Sequence, residues 1–412
     1  MTATAATAAT AATAATATAA TATARRRPTR RCVLAPSSPT RRAFGNANNP
    51  RARRAAAARL LLELPADLLG LVLYQLPLAH DIALAGLTCR QLCDAAKLAL
   101  KARPFSGKVV TLSGHVAWVK GVAATADGRI ITASTDGHIS MWRDGACERT
   151  IQAHLTSWIW AVAALPGGAR FVSGSTDHTV KLWTPDGTLE RTLDIRCNML
   201  SVAPLPDGVH FVVGTGSGHA HQFEIRLYHV DGTLVHAFQG HTSSVWAVAV
   251  TPDGQHIISG SGDRRVKVWS VATKSLVSTS GEEDNEDDDT GHTRAVKAVA
   301  AMPDGQRFLS GGQDGTIRVW LLDGALKNTF ELHTDTVMSL VALPDNQHAL
   351  SASRDKTVKL FNVNDGAVLR TFRHHTDPVM CLALLSDGRR FVSASEDKTA
   401  CVFEHGLAPS FK

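Results

Sequence analysis

His241-Thr-Ser-Ser-Val-Trp-Ala-Val-Ala-Val250, Pro252-Asp-Gly254, His256-Ile-Ile-Ser-Gly-Ser-Gly-Asp263 and Arg265-Val-Lys-Val-Trp269 form one continuous unit of the 412-residue chain. Its short runs of Val and Ile are separated by turn residues, the signature of successive β-strands. The unit returns six more times. Its acidic position recurs at Asp136, Asp177, Ser217, Asp263, Asp314, Asp355 and Asp397, in steps of 40 to 51 residues. Six positions later stands an aromatic residue: Trp142, Trp183, Phe223, Trp269, Trp320, Phe361 and Phe403. A histidine precedes the acidic position by 21 to 23 residues in six units, at His115, His154, His241, His292, His333 and His375.

Each unit also carries a tight-turn signal between its first strands: Asp127-Gly128, Gly167-Gly168, Asp207-Gly208, Asp253-Gly254, Asp304-Gly305, Asp345-Asn346 and Asp387-Gly388. Hairpin turns need positive φ, which glycine adopts without steric cost. Five units have a second Asp turn after the aromatic, at Asp144, Asp186, Asp231, Asp323 and Asp365. Short antiparallel strands at this period specify an all-β protein of seven blades around an axis, expected over residues 108–406.

These units resemble the WD-repeat family over about 300 residues. The resemblance implies that His, Ser or Thr, Asp and Trp of one unit form a buried hydrogen-bonded chain, because a buried indole N–H and carboxylate each need a partner. The complete sets are His115, Thr132, Asp136 and Trp142; His154, Ser173, Asp177 and Trp183; His241, Ser259, Asp263 and Trp269; and His292, Ser310, Asp314 and Trp320. The sixth and seventh units keep His333/Ser351/Asp355 and His375/Ser393/Asp397 but end in Phe361 and Phe403, which have nothing to donate. The third departs most, with Cys197, Val213, Ser217 and Phe223, and is expected to be the least rigid. The repeated His and Asp residues therefore read as structural rather than catalytic.

Only nine residues follow Phe403, too few for another strand, whereas Lys108-Val-Val-Thr-Leu112 has no blade of its own. Pairing it as the outer strand of the seventh blade closes the ring with both ends of the repeat region. Upstream, residues 60–100 have helical periodicity. Leu64, Pro65, Leu68, Leu69, Val72, Leu73 and Leu76, then Asp81, Leu84, Cys89, Arg90 and Leu92, resemble the F-box. The residue pattern alone is also that of a small helical cap. The order of the two segments is similar to F-box/WD-repeat receptors, in which the F-box docks on the linker subunit of a cullin–RING ubiquitin ligase and the propeller binds the target protein. A spacer of about a dozen residues is short for that family.

The chain holds 43 Lys and Arg against 37 Asp and Glu, with pI near 9.0. Residues 1–62, however, contain 11 Arg and no acid, leaving 32 basic against 37 acidic residues beyond them. The bulk pI thus gives no support to nucleic-acid binding. Residues 1–59, an Ala/Thr tract and an Arg-rich stretch, are expected to be a disordered tail, a basic import segment or an organelle-targeting segment. Seven scattered cysteines without a C-x-x-C pair read as reduced and intracellular, cytoplasmic or nuclear. No apolar run from Leu60 onward is long enough to span a membrane.

No phosphate-binding loop, nucleophile elbow, zinc motif or cofactor fingerprint occurs, so no catalytic, cofactor or metal residues are assigned. In a strand, His219 and His221 would project to the same face without further ligands, so no metal is expected there. The expected function is that of a protein-interaction scaffold, as a ligase substrate receptor or, alternatively, as a WD-repeat scaffold or ubiquitin-binding propeller without ligase contact. Candidate partner-binding residues are Trp118, Trp158, Trp160 and Trp246, just after the repeat His, where the resemblance implies the rim of the central channel; core packing is the other reading of each. Arg354 stands where the receptors place an arginine toward a phosphorylated peptide, or is an ordinary solvated arginine. The acidic run from Glu282 to Asp289 is expected in a solvated loop on the same rim.

Overall fold

The computed structural model describes residues 109–407 except 156, 169, 217–222 and 282–290. The expectations for residues 1–59 and for the F-box-like segment, including Leu64, Pro65, Leu68, Leu69, Leu73 and Leu76, lie outside the described residues, as do Ser217, His219, His221 and the run from Glu282 to Asp289. The described residues form 28 strands in seven four-stranded antiparallel sheets. This is an all-β, seven-bladed propeller.

The first strands of the blades are its staves: Val119–Ala124, Ile159–Ala164, Met199–Pro204, Val245–Val250, Val296–Ala301, Val337–Ala342 and Val379–Leu384. Each packs on the next, and the last packs on the first. The expected closing strand is present: Val110–Ser113 pairs antiparallel with Thr399–Glu404, Val110 opposite Val402 and Ser113 opposite Thr399. Seven turns lead from first to second strand. At the left-handed position six carry glycine, such as Gly254 (φ 71°), and the sixth blade carries Asn346 (φ 59°), the residue type that best tolerates the region after glycine.

Between blades, one contact recurs. The first residue of each stave is large and fully buried, and it packs on a small residue in the second strand of the preceding blade. Ile159 shares a core with Ala133, Val379 with Ala352, and Val119 with Ala394. In the other four seams the small residue is glycine. A Cβ on Gly174 would fall 1.8 Å from the Met199 sulfur; on Gly260 and Gly311 it would fall 2.6 Å from methyls of Val296 and Val337, and on Gly214 2.9 Å from the Val245 carbonyl. The seam thus has a volume limit set by backbone separation.

The third blade corrects the sequence reading. In six blades an aromatic residue of the third strand faces the second strand, as Trp269 does Ile257 and Trp183 does Phe171. In the third blade that register belongs to Tyr228, opposite Phe211, and not to Phe223. Phe223 precedes the strand Ile225–His229 and is half-buried. The connection from Thr215 to Ile225 is longer than its equivalent from Ser261 to Val266, so the six-residue spacing fails there. The sequence did carry a signal. Asp231 lies three residues after Tyr228, as Asp186 does after Trp183, but eight after Phe223.

The seam predicts that Gly260→Val, which forces two more methyls against Val296, lowers stability by about 1–3 kcal/mol. A fall in the urea midpoint checks this; an unchanged midpoint contradicts it.

Candidate functional site at the channel mouth

The site is built on loops that polar chains hold in place. In the fourth blade the Asp263 carboxylate accepts from His241 Nδ1 at 2.7 Å, and His241 Nε2 meets the Ser259 hydroxyl at 2.8 Å, which also accepts from Trp269 Nε1 at 2.9 Å. The same four-residue arrangement joins Asp136–His115–Thr132–Trp142 (3.2, 2.8 and 2.9 Å), Asp177–His154–Ser173–Trp183 (2.7, 2.9 and 2.9 Å) and Asp314–His292–Ser310–Trp320 (3.0, 2.7 and 2.7 Å). Asp355–His333–Ser351 and Asp397–His375–Ser393 are shortened at Phe361 and Phe403. In the four complete sets the donation order that satisfies every atom is Trp N–H to Ser or Thr O–H to His Nε2, then Nδ1–H to Asp. Both imidazole nitrogens are committed, so these pairs offer no free base to a substrate.

The third blade satisfies its interior differently. Cys197 and Val213 are buried, and Glu224 takes a bond from Arg226 Nε at 2.9 Å and another from Gln239 Nε2 at 3.0 Å. Arg226 also donates to the Ile195 carbonyl at 2.7 Å, as Lys181 does to Ala153 in the blade before. Sequence reasoning missed this pair.

The carboxylates are electrostatically invested. Burial works against their charge, yet bonds from the imidazoles and backbone amides outweigh it, holding Asp177 at about 2 and Asp136, Asp314, Asp355 and Asp397 well below the usual range. His375 is pushed up to about 9: burial opposes its charge, but bonds to Asp397 and Cys401 prevail.

The mouth itself arises from a β-bulge. In every stave the pairing with the second strand slips at the same place, for example between Val119 and Gly121 and between Val245 and Ala247. The extra residue of a bulge is re-aimed. Here the seven extra residues, Lys120, Trp160, Leu200, Trp246, Lys297, Met338 and Met380, all line the central cavity of about 390 Å³. Trp160 and Trp246 were singled out from sequence. Lys120 and Lys297 were not, although their offset from the repeat's first buried stave residue is the same.

Just before the first two staves stand Trp118 and Trp158, 42% and 48% exposed, so neither is a core residue. The four indoles make one strip: Trp118 to Trp158 is 6.4 Å between ring centroids, Trp158 to Trp160 6.1 Å and Trp160 to Trp246 6.0 Å. Val116 and Leu155, each directly after a repeat histidine, are 75% and 73% exposed. Lys120 lies 4.8 Å from the Trp118 ring and is ion-paired to Glu396 at 2.7 Å. Lys297 Nζ lies 3.1 Å from the Trp246 centroid, and its ammonium is held down at about 8 by burial and by the nearby charge of Arg354. Arg354 is exposed, and its amide donates to the Thr336 carbonyl at the mouth. The five candidates thus lie in one region.

The profile described as "WD domain, G-beta repeat" matches residues 106–143, 145–184, 232–270, 288–320, 324–362 and 366–404, more than half of the chain. Of the seven units, the atypical third, between residues 184 and 232, is the one without a match. Among curated proteins, the chain is 30% identical over 175 residues to "WD repeat-containing protein VIP3" of Arabidopsis thaliana, 40% of this chain and 54% of that protein. It is 30% identical to "Ubiquitin fusion degradation protein 3 homolog" of Caenorhabditis elegans (43% of this chain, 20% of that protein) and 25% identical to "Guanine nucleotide-binding protein subunit beta" of Arabidopsis thaliana (51% and 57%). The matches thus span little more than half the length of these relatives, or less.

The polar chains set a pH profile. The Asp carboxyls are depressed from about 3.9 in the unfolded chain, so their stabilisation is present above that pH and is lost as pH falls toward 2. His375 is raised from about 6.5, so its contribution is full below that pH and is lost as pH rises through 9. Urea midpoints should fall on both sides of a plateau from about pH 4 to 6.5, and His375→Gln should flatten the alkaline limb selectively. An alkaline limb of the same slope in the variant contradicts the assignment.

Proposed function

Because the chain belongs to the WD40 repeat family, we propose that it is a protein-interaction scaffold that docks a partner across the mouth of its channel, through Trp118, Trp158, Trp160, Trp246 and Arg354. The observation that carries this reading is the strip of four contiguous indoles, two of them exposed. Aromatic side chains supply large contact area at small entropic cost and concentrate at interface hot spots. A solvent-facing strip of this kind has no role in closing the ring, whose seams lie elsewhere. The repeated His–Asp pairs support a non-catalytic role, since their nitrogens and oxygens are spent inside the blades. The polar sets act in this reading as the frame of the docking loops.

A finer reading rests on the order of the chain. An F-box-like segment at 60–100 followed by a propeller supports a substrate receptor, in which Leu64, Pro65, Leu68, Leu69, Leu73 and Leu76 dock on a cullin–RING linker subunit inside the cell and the mouth holds the target. The alternative is a scaffold without ligase contact. The diversity of the relatives favours neither.

Two measurements check these readings. The double variant Trp118→Ala/Trp158→Ala of the full chain should lose the proteins that copurify with the wild type while keeping its unfolding midpoint; an unchanged set of partners refutes docking at the mouth. Capture by the purified linker subunit should occur with the full chain and vanish on deletion of residues 61–96; capture by the deletion, or by neither chain, refutes the receptor reading.

A further inference from the structure

Resting on the docking reading, we infer that the partner segment held at the mouth is an acidic peptide, one carboxylate of which sits between Lys297 and Arg354 while a neighbouring aromatic or aliphatic side chain lies on the tryptophan strip. Two lysines occupy equivalent bulge positions. Lys120 lies against two indoles, Trp118 and Trp160, and its charge is met by Glu396 at 2.7 Å. Lys297 lies even closer to an indole, yet among the described residues no carboxylate forms an ion pair with it or with Arg354. Lys297 lies instead against the face of Trp246 and feels the charge of a second cation, Arg354, whose amide bonds to the Thr336 carbonyl just before the neighbouring stave.

A half-buried ammonium that feels the charge of a guanidinium is desolvated without compensation, and the indole quadrupole offsets only part of that loss. One anion placed between the two cations relieves both the desolvation and the repulsion. With indole walls lowering the local dielectric, the resulting charge-assisted bonds are stronger than the same contacts on an open surface. Arg294, exposed just upstream of the stave that bears Lys297, adds positive potential to this side.

Among the described residues, the opposite side of the mouth shows no such unmatched charge. Val116, Trp118, Leu155 and Trp158 are apolar and exposed, and Lys120 between them is neutralised. A ligand that fits both halves therefore carries an acid and an apolar side chain close together. A peptide meets that demand with adjacent side chains. A nucleic acid, with one charge on every phosphate, does not fit a mouth in which, among the described residues, one side alone lacks its anion.

Lys297 adds a distinctive readout. Its ammonium titrates near 8, and an adjacent carboxylate favours the charged form, so binding takes up protons around that pH.

The test uses fluorescein-labelled peptides in which one Glu and one Trp are separated by Gly/Ser spacers of graded length, in both orders, titrated by anisotropy into the full chain. At least one spacing should bind saturably and weaken with salt. Lys297→Gln, Arg354→Gln and replacement of the peptide Glu by Gln should each weaken it by on the order of ten-fold or more. Calorimetry in buffers of different ionisation enthalpy at pH 8 should show proton uptake with wild type and none with Lys297→Gln, while unchanged unfolding midpoints establish that the variants fold. The proposal is overturned if no peptide saturates, if the Gln peptide binds as well as the Glu peptide, if Lys297→Gln binds like wild type, or if binding appears only when phosphoserine replaces Glu. The copurification experiment separates this from failure of the docking reading. Partners lost from Trp118→Ala/Trp158→Ala alongside a blank peptide series would retain docking and discard the acidic partner.

Discussion

Every other feature of this propeller depends on a contact between a large side chain and a missing one. Each stave begins with Val, Ile or Met, fully buried, and each is received by Gly or Ala in the second strand of the blade before it. A four-stranded sheet of this size has no core of its own. It buries apolar surface only against its neighbours, so seven seams around a circle stabilise one another and none is terminal. The strand Val110–Ser113 completes the circle by joining the start of the repeat region to its end. The third blade shows the value of this arrangement: it lacks the His–Asp chain, yet Met199 fills Gly174 on one side and Val245 closes on Gly214 on the other.

The polar chains work on a different problem, the placement of loops. In the first blade, Asp136 accepts from both His115 Nδ1 and the backbone amide of Val116 at 3.2 Å; Asp263, Asp314 and Asp397 likewise hold the amides of Thr242, Thr293 and Thr376. The carboxylate therefore fixes the backbone that leads directly into these four staves. Three residues after His115 comes Trp118, and four after His154 comes Trp158. The buried chain and the exposed indole are linked along the backbone, and stability of the one orders the other. Side chains held in this way lose little freedom on binding, which is where interface aromatics gain their advantage.

How much of this was legible depended on whether a residue's chemistry demands one kind of partner. A buried Trp, Asp or His leaves a recurring mark because few neighbours satisfy it. Hence the blade count, the closing strand and the four complete polar sets were all within reach of the sequence. Phe223 misled because spacing stood in for register: an apolar ring makes no demand that distinguishes it from Tyr228 five residues on. Lys120 and Lys297 were invisible for a different reason. A lysine in a strand reads as solvated, and only the bulge turns these two into the channel. Glu396, which neutralises Lys120, lies 276 residues away and meets it only because the ring closes.

Asymmetry at the mouth follows from what the seams do not constrain. Seam positions are restricted to a few residue types by volume, whereas the bulge residue beside each of them points into the channel and is free to vary. Across the seven blades that position holds Lys, Trp, Leu, Trp, Lys, Met and Met. A near-symmetric frame thereby carries an irregular lining, in which the lysine of the first blade is matched by a carboxylate and, among the described residues, the lysine of the fifth is not. Specificity in such a ring arises from the differences between blades, so the residues that make the blades alike are the wrong place to look for the ligand. In this chain the largest difference is the one between Lys120, matched by Glu396, and Lys297, matched among the described residues by nothing but an indole face.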